Sequence, residues 1–227
     1  MKISTRRFHI EIAIICSLVG VAAYPKEYST YSNKAHKIVK SIPLAGAEFI
    51  ISDALAVGTD YTFDDVVEFM GSFDHPFELS ELAMIYNACQ YSGIHFLYFA
   101  TKIQMESSLI TNPDKLEGRL LRYRKRWVLG YDMYRTLPGG AKPSGGLSSQ
   151  VYGAAACLRK HIDEYCPGKT VSINLGRDKI RPANAATYAL YRYTPFWGKT
   201  KENGAVCSGN EIFRPTYKYF LKYWKKA

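Results

Sequence analysis

The carboxyl group of Glu106 is the side chain in this sequence best placed for acid–base chemistry. It closes an apolar segment, residues 94–110, in which Phe96, Phe99 and Ile103 recur at spacings of three and four and share one helix face. Glu106 continues that face, so we expect its carboxyl to be partly withdrawn from water. Withdrawal from water favours an uncharged carboxyl, the form that a general acid needs. A glutamate at a helix end is also commonly a solvated surface residue, so its position alone does not assign chemistry.

Cysteine and histidine offer weaker alternatives. Cys89 and His95 could form a nucleophile and its base, but Cys89 lies on the apolar face of its predicted helix, where thiols are usually inert. The chain has no CxxC motif and its histidines lack ligand spacing, so we expect no metal and no cofactor. We expect the cysteines after residue 23 to be structural thiols or two disulfides with three pairings open: Cys89, Cys157, Cys166 and Cys207.

Helices are the elements expected to position these groups. Apolar residues recur at helical spacing in five segments: residues 63–70, 82–89, 96–103, 151–162 and 185–193. A short β segment is expected near residues 170–175, and the Gly- and Pro-rich residues 137–146 are expected to form a loop. The predicted fold class is therefore mainly α.

Several helix ends carry recognisable signals. Thr62 with Asp65 predicts a capping box, and Gly93 predicts the end of the helix before it. Ser148 or Ser149 is expected to cap the helix that runs towards residue 165.

The start of the chain resembles a secretory signal. Basic residues precede an apolar stretch, residues 10–23, which is shorter than a membrane span and ends in small side chains. We expect cleavage after Ala23 and export to the periplasm or cell exterior, without stable membrane insertion of the mature chain. A retained anchor is the alternative.

Composition and length favour one globular domain. The chain has 227 residues, 47% of them hydrophobic and 22% charged, which excludes disorder, collagen and coiled coil. We expect residues 1–23 to be the signal, residues 24–76 an N-terminal helical extension packed on the main domain, and residues 77–227 that domain. A monomer is expected.

Residues 82–110 are similar to the catalytic helix pair of the lysozyme-like superfamily. Two helices joined by a Tyr-Ser-Gly-Ile turn close on Ile-Gln-Met-Glu-Ser-Ser, and a Glu-Ser pair at the helix end is typical of its bacterial lytic transglycosylase and muramidase branch. The resemblance implies that Glu106 is the catalytic acid and that Ser107 supports the site. It also implies a lysozyme-like fold, α+β with very little β.

Two later segments follow in the order of that branch. Residues 145–155 resemble its Gly-aromatic-x-x-Gln-Val helix start, with Leu147 where an aromatic is more usual. Residues 184–195 resemble its Tyr-Asn-x-Gly element, with Tyr191 matching the Tyr and Arg192 replacing the Asn.

A closing segment that begins at Asn210 extends the resemblance to residues 77–224, although Pro215 is expected to interrupt the helix there.

The number of available carboxylates bears on the mechanism. A hydrolase needs a second carboxylate about 5–5.5 Å (retaining) or 6.5–9.5 Å (inverting) from the acid. Asp114, Glu117 and Asp132 are candidates, although each is more commonly a solvated or capping residue. The resemblance implies instead a lytic transglycosylase, in which one Glu acts as acid and then base while the C6 hydroxyl closes a 1,6-anhydro ring. A muramidase and a non-catalytic wall-binding protein are the alternatives.

Aromatic and amide side chains are candidates for binding sugars. Apolar faces of sugar rings stack on aromatic rings, and amides can hydrogen-bond N-acetyl groups. The aromatic candidates are Tyr131, Tyr188, Tyr191, Tyr193 and Trp197, and the amide candidates are Gln104 and Gln150. A helical tyrosine can equally serve in packing.

Basic residues outnumber acidic ones, 30 to 20, so the protein should be drawn to polyanions. Residues 120–127 interleave basic and aromatic side chains, and residues 217–226 add further lysines. Such runs can bind nucleic acid, or they can form a solvated helix face with no binding role. For an exported protein we expect peptidoglycan, with its acidic stem peptides, as the partner and no nucleic acid.

Overall fold

The computed structural model of the chain describes residues 48–111, 117–133, 145–166, 173–175, 178–195, 201–202, 205–206 and 209–225. The predicted signal, the first half of the predicted extension and most of the predicted loop at residues 137–146 lie outside these ranges. So do Asp114, Trp197 and Cys207.

The fold is mainly α, as the sequence predicts. The helices of the described ranges are α1 (Asp53–Ala56), α2 (Phe63–Met70), α3 (Leu79–Ser92), α4 (Phe96–Ser107), α5 (Gly118–Arg126), α6 (Leu147–Glu164), α7 (Ala185–Tyr193) and α8 (Phe213–Leu221). A 3₁₀ turn, Asn210–Ile212, leads directly into α8. All five segments predicted from helical spacing lie within helices.

The strands of the described ranges form two short antiparallel ribbons. Strand β1 (Ile173–Leu175) pairs with β2 (Asp178–Ile180), and β3 (Lys201–Glu202) pairs with β4 (Ala205–Val206). Strand β1 confirms the β segment expected near residues 170–175.

The core is built around α4. Helix α8 packs against α4, while α6 packs against both α3 and α7. Residues 48–76, the described part of the predicted extension, enter the same core: Val66 and Phe69 are buried, and the Phe69 ring contacts the rings of Phe96 on α4 and Phe220 on α8. The backbone of Val57 also bridges to that of Ile94, just before α4.

Two predicted helix ends are confirmed and one is wrong. Thr62 and Asp65 form the capping box of α2, and Gly93 ends α3 in the left-handed conformation at φ 69°. Ser148 and Ser149 do not cap α6, because that helix begins earlier, where Leu147 packs against the core.

Pro215 does not interrupt the closing helix, contrary to expectation. It lies in the first turn of α8, where backbone N–H groups have no intrahelical acceptor, so a residue without an N–H is tolerated.

No helix in the described ranges is long and apolar enough to cross a membrane.

Candidate active site

Helix α4 holds Glu106 in its last turn. At its start, Nδ1 of His95 accepts a hydrogen bond from the Leu97 N–H at 3.1 Å. At its end, Ser108 turns into the left-handed conformation at φ 58°. The eight residues from Phe96 to Ile103 are all buried, so α4 is enclosed on every side rather than along one stripe. An enclosed helix therefore presents Glu106 at its C-terminal end.

The Glu106 carboxyl is held through one oxygen. Its Oε1 accepts hydrogen bonds from Nζ of Lys102 at 2.5 Å and from Oγ1 of Thr194 at 2.9 Å. Its Oε2 accepts none from the residues that the structure describes, and 26% of the side chain is exposed. The geometry leaves one carboxyl oxygen fixed and the other available to a ligand.

Lys102 is the unexpected member of this group. Its side chain is fully buried, donates to Oγ1 of Thr194 at 2.6 Å as well as to Glu106, and places Nζ 4.9 Å from the centroid of the Tyr193 ring. Burial lowers the pKa of Lys102, and the adjacent Glu106 opposes that change. Two opposing influences, burial and the Glu106 carboxyl, therefore act on the charge of Lys102.

Thr194 and Tyr193 are themselves fixed by neighbours. The amide of Asn210 donates to the Thr194 carbonyl at 2.8 Å, and the Tyr193 hydroxyl donates to the Leu129 carbonyl at 2.9 Å. Burial, and then the charge of Glu106, raises the pKa of the Tyr193 phenol well above its usual range. Tyr193 therefore stays a neutral donor beside Glu106.

Gln104 and Ser107 support the helix end. Gln104 accepts from the Ile110 and Thr111 N–H groups through Oε1 and donates to Oγ1 of Thr111 through Nε2. Ser107 is 1% exposed, and its hydroxyl donates to the Ile103 carbonyl at 2.7 Å. Ser107, the residue expected to support the site, has a buried and occupied hydroxyl, so it is not placed to contact a substrate. Gln104, half-buried, shapes the loop after α4.

Gln150 ties α6 to the turn that carries Tyr131. Its side-chain amide accepts from the Tyr131 N–H at 2.9 Å and donates to the Tyr131 carbonyl at 2.8 Å. A Cβ at Gly153 would lie 2.2 Å from Cε1 of Tyr131, so that glycine makes room for the ring. Gln150 is 1% exposed, and its predicted substrate contact is wrong. Tyr131 is half-buried and remains a candidate.

Tyr188 and Tyr191 belong to the core of α7. Tyr191 is fully buried, and Tyr188, 8% exposed, lies between the rings of Tyr165 and His161. Their predicted stacking on sugar is wrong, because the face of α7 that carries them packs inward. Of the described tyrosine candidates, Tyr131 and Tyr193 are partly exposed; Tyr193 lies beside Glu106, and Tyr131 lies near Tyr193.

One predicted second carboxylate lies near the site. Asp132 is half-buried, has a left-handed backbone at φ 53°, and acts electrostatically on the Tyr193 phenol, as Glu106 does. Such a conformation is uncommon outside glycine and is enriched at functional sites. Glu117 instead lies exposed at the start of α5.

Cys89 and His95 do not form a catalytic pair. Cys89 is 0% exposed, and burial raises the pKa of its thiol. Nδ1 of His95 is engaged in capping α4. The described cysteines, Cys89, Cys157 and Cys166, carry free thiols, and the described ranges contain no group of side chains suited to a metal ion.

The basic run forms an exposed helix. Helix α5 has no buried residue; Arg119, Arg122 and Tyr123 lie exposed on one face. Lys125 points the other way, to Glu81 at 2.6 Å.

Sequence reasoning proposed Glu106 as a candidate and did not consider Lys102 or Thr194, which contact it. Lys102 stands four residues before Glu106 on one helix, a spacing that places two side chains in contact.

Comparison of the chain with family models, curated proteins and solved structures finds no match.

Proposed function

We propose that this protein is an exported enzyme with a lysozyme-like fold that cleaves the β-1,4 link between N-acetylmuramic acid and N-acetylglucosamine in peptidoglycan. The observation that supports this most is the half-buried Glu106 carboxyl, held through Oε1 by Lys102 and Thr194 with Oε2 available. The ordered motifs around Glu106, Gln150 and Tyr191 resemble those of the lytic transglycosylase and muramidase branch, and this resemblance supports the proposed reaction.

Glu106 acts first as the acid. Its proton passes to the glycosidic oxygen, the bond from that oxygen to C1 breaks, and positive charge develops on the sugar ring. The carboxylate left behind is stabilised by the Lys102 ammonium and the Thr194 hydroxyl.

Glu106 then acts as the base. It takes the proton of the C6 hydroxyl while O6 bonds to C1, which closes a 1,6-anhydro ring and restores the acid. The neutral phenol of Tyr193, beside the carboxyl, is positioned to contact the sugar at this stage.

A hydrolytic muramidase is the second candidate, and Asp132 is the observation that favours it. Asp132 shares the neighbourhood of Tyr193 with Glu106 and would activate water in place of the C6 hydroxyl.

Mass spectrometry of the soluble products released from purified peptidoglycan distinguishes these functions. Anhydro-muropeptides support the lytic transglycosylase, and reducing-end products support the muramidase. A folded chain that binds the polymer and releases no products would support a non-catalytic wall-binding protein and overturn the proposal.

A further inference from the structure

A second cluster of chemically capable side chains lies along helix α6. Cys157, His161 and Glu164 occupy positions i, i+4 and i+7, so they share one face of the helix. Sγ of Cys157 lies 3.5 Å from Nε2 of His161, and Nδ1 of His161 lies 3.0 Å from Oε2 of Glu164. A nucleophile, a base in contact with it and a third group that orients the base form the general arrangement for nucleophilic catalysis.

The contact with Glu164 sets the tautomer of the His161 ring. A carboxylate at Nδ1 requires the N–H on that nitrogen when the ring is neutral, so Nε2 is left as an acceptor facing the thiol. Burial lowers the pKa of His161, with Glu164 opposing. The ring is thus available as a base near neutral pH.

The thiol needs such a base. Burial is the largest influence on Cys157 and raises the pKa of its thiol, so the resting group is protonated. Among the described residues, the charged groups around it are Lys160 and Glu164 on α6, Arg192 on α7 and Asp132 in the turn after α5. Their signs oppose one another, and removal of the proton falls to His161.

Access and charge limit the class of reagent. Cys157 is half-buried, His161 has 12% of its side chain exposed, and Glu164 has 41%. Glu164, at the end of α6, is the most exposed of the three, and the thiol and imidazole lie partly buried, which admits a small molecule rather than a protein. Of the charged groups around the thiol, the cations Lys160, 55% exposed, and Arg192 lie exposed at the rim. Asp132 is half-buried and the Glu164 carboxylate is engaged by His161, so the rim favours an anionic reagent.

We propose that Cys157 is a nucleophilic thiol that reacts with small anionic disulfides, with His161 as its base and Glu164 as the positioning residue. The proton on Sγ passes to Nε2 while sulfur attacks one sulfur of the disulfide. The disulfide bond breaks, a mixed disulfide forms on Cys157, and the released thiolate takes the proton from His161. This assignment does not rest on the function proposed for Glu106, although Asp132 lies near both groups of residues.

The test is site-resolved labelling with an aromatic disulfide that carries carboxylates, 5,5′-dithiobis(2-nitrobenzoate), followed by mass spectrometry. Wild type is compared with His161→Gln and Glu164→Gln. Cys166, which is exposed, serves as the reference thiol in each chain, and Cys89, fully buried, reports any unfolding.

We expect the rate at Cys157 relative to Cys166 to fall on the order of tenfold or more in His161→Gln and less in Glu164→Gln. In the wild type the rate at Cys157 itself should level off above the pH at which His161 loses its proton. An unchanged relative rate in His161→Gln, with Cys89 still protected, overturns the proposal. If Cys89 becomes reactive in His161→Gln, that variant has unfolded and Glu164→Gln, a change at an exposed residue, is used instead. An unchanged relative rate at Cys157 in Glu164→Gln, with Cys89 still protected, overturns the proposal equally.

Discussion

Nζ of Lys102, fully buried, lies 2.5 Å from Oε1 of Glu106, which is one-quarter exposed. The carboxyl is therefore not merely withdrawn from water, as an apolar helix face alone would suggest. It faces a cation whose own charge is disfavoured by burial. A buried charge that loses its partner is strongly destabilising, so each member of this pair constrains the other.

Replacing Lys102 by methionine tests how this cation influences the reaction. An acid catalyst loses activity as rising pH removes its proton, and a neighbouring positive charge promotes that loss. In Lys102→Met we expect the alkaline limb of the peptidoglycan cleavage profile to move to higher pH. The matched control is Lys125→Met, which removes another lysine paired with a carboxylate, Glu81, away from the site.

An alkaline limb that is unchanged in Lys102→Met would contradict this role of Lys102. An equal shift in Lys125→Met would show that net charge, rather than the contact with Glu106, sets the profile.

Replacing Glu106 by glutamine should cost stability in a pH-dependent way. The ordinary pKa of lysine, 10.5, is lowered for Lys102 in the folded chain, so the unfolded chain binds that proton more tightly. Lys102 therefore lowers the free energy of unfolding as pH falls below 10.5. Removing the Glu106 carboxylate lowers the pKa of Lys102 further and makes this loss of stability larger. We expect a loss of about 3 kcal/mol in the free energy of unfolding near neutral pH, shrinking as pH rises towards 10.

Chemical denaturation at several pH values measures this loss. Glu81→Gln breaks a more exposed pair, with Lys125, and should cost less than about 1 kcal/mol. The double variant Lys102→Met with Glu106→Gln should recover most of the stability. A constant cost across the pH range would contradict the account.

Replacing Thr194 by valine removes the hydroxyl that donates a hydrogen bond to Glu106 and accepts one from Lys102. The hydroxyl steadies the carboxylate that forms when the proton is transferred, so we expect kcat to fall about tenfold with little change in KM. Thr194→Ser keeps the hydroxyl and should restore most of kcat. Equal losses in both variants would show that the methyl group, not the hydroxyl, matters.

Reversing the charge of Arg122 tests the exposed face of α5. If this face binds acidic stem peptides, Arg122→Glu should weaken binding to insoluble peptidoglycan several-fold at low salt and less at high salt. Arg214→Glu, the same change at an exposed position on α8, is the control. Pelleting assays that find the two variants equally weakened would indicate a general charge effect.

The helices were predictable because they depend on local patterns. Spacings of three and four marked all five predicted helices, and Thr62 with Asp65 marked a cap that forms as expected. Ser148 and Ser149 failed as cap predictions because a tertiary contact of Leu147 extends α6 beyond the local signal.

The site was only partly predictable, because its partners are distant in sequence. Thr194 stands 88 residues from Glu106, and a single sequence carries no sign of that contact. Tyr188 and Tyr191 have the residue type that binds sugars, but their exposure depends on how α7 packs. Lys102 could have been found from its spacing to Glu106, although a lysine in an apolar helix is ordinarily assigned to the solvent side.

The most direct test of the central claim is the rate at which soluble fragments are released from dye-labelled peptidoglycan. Wild type is compared with the stabilised double variant Lys102→Met with Glu106→Gln, with Lys102→Met alone, and with Glu117→Gln, which removes an exposed carboxyl. We predict release by wild type, Lys102→Met and Glu117→Gln, and loss of at least about a hundredfold in the double variant. Release by the folded double variant at the rate of Lys102→Met would contradict the assignment of Glu106.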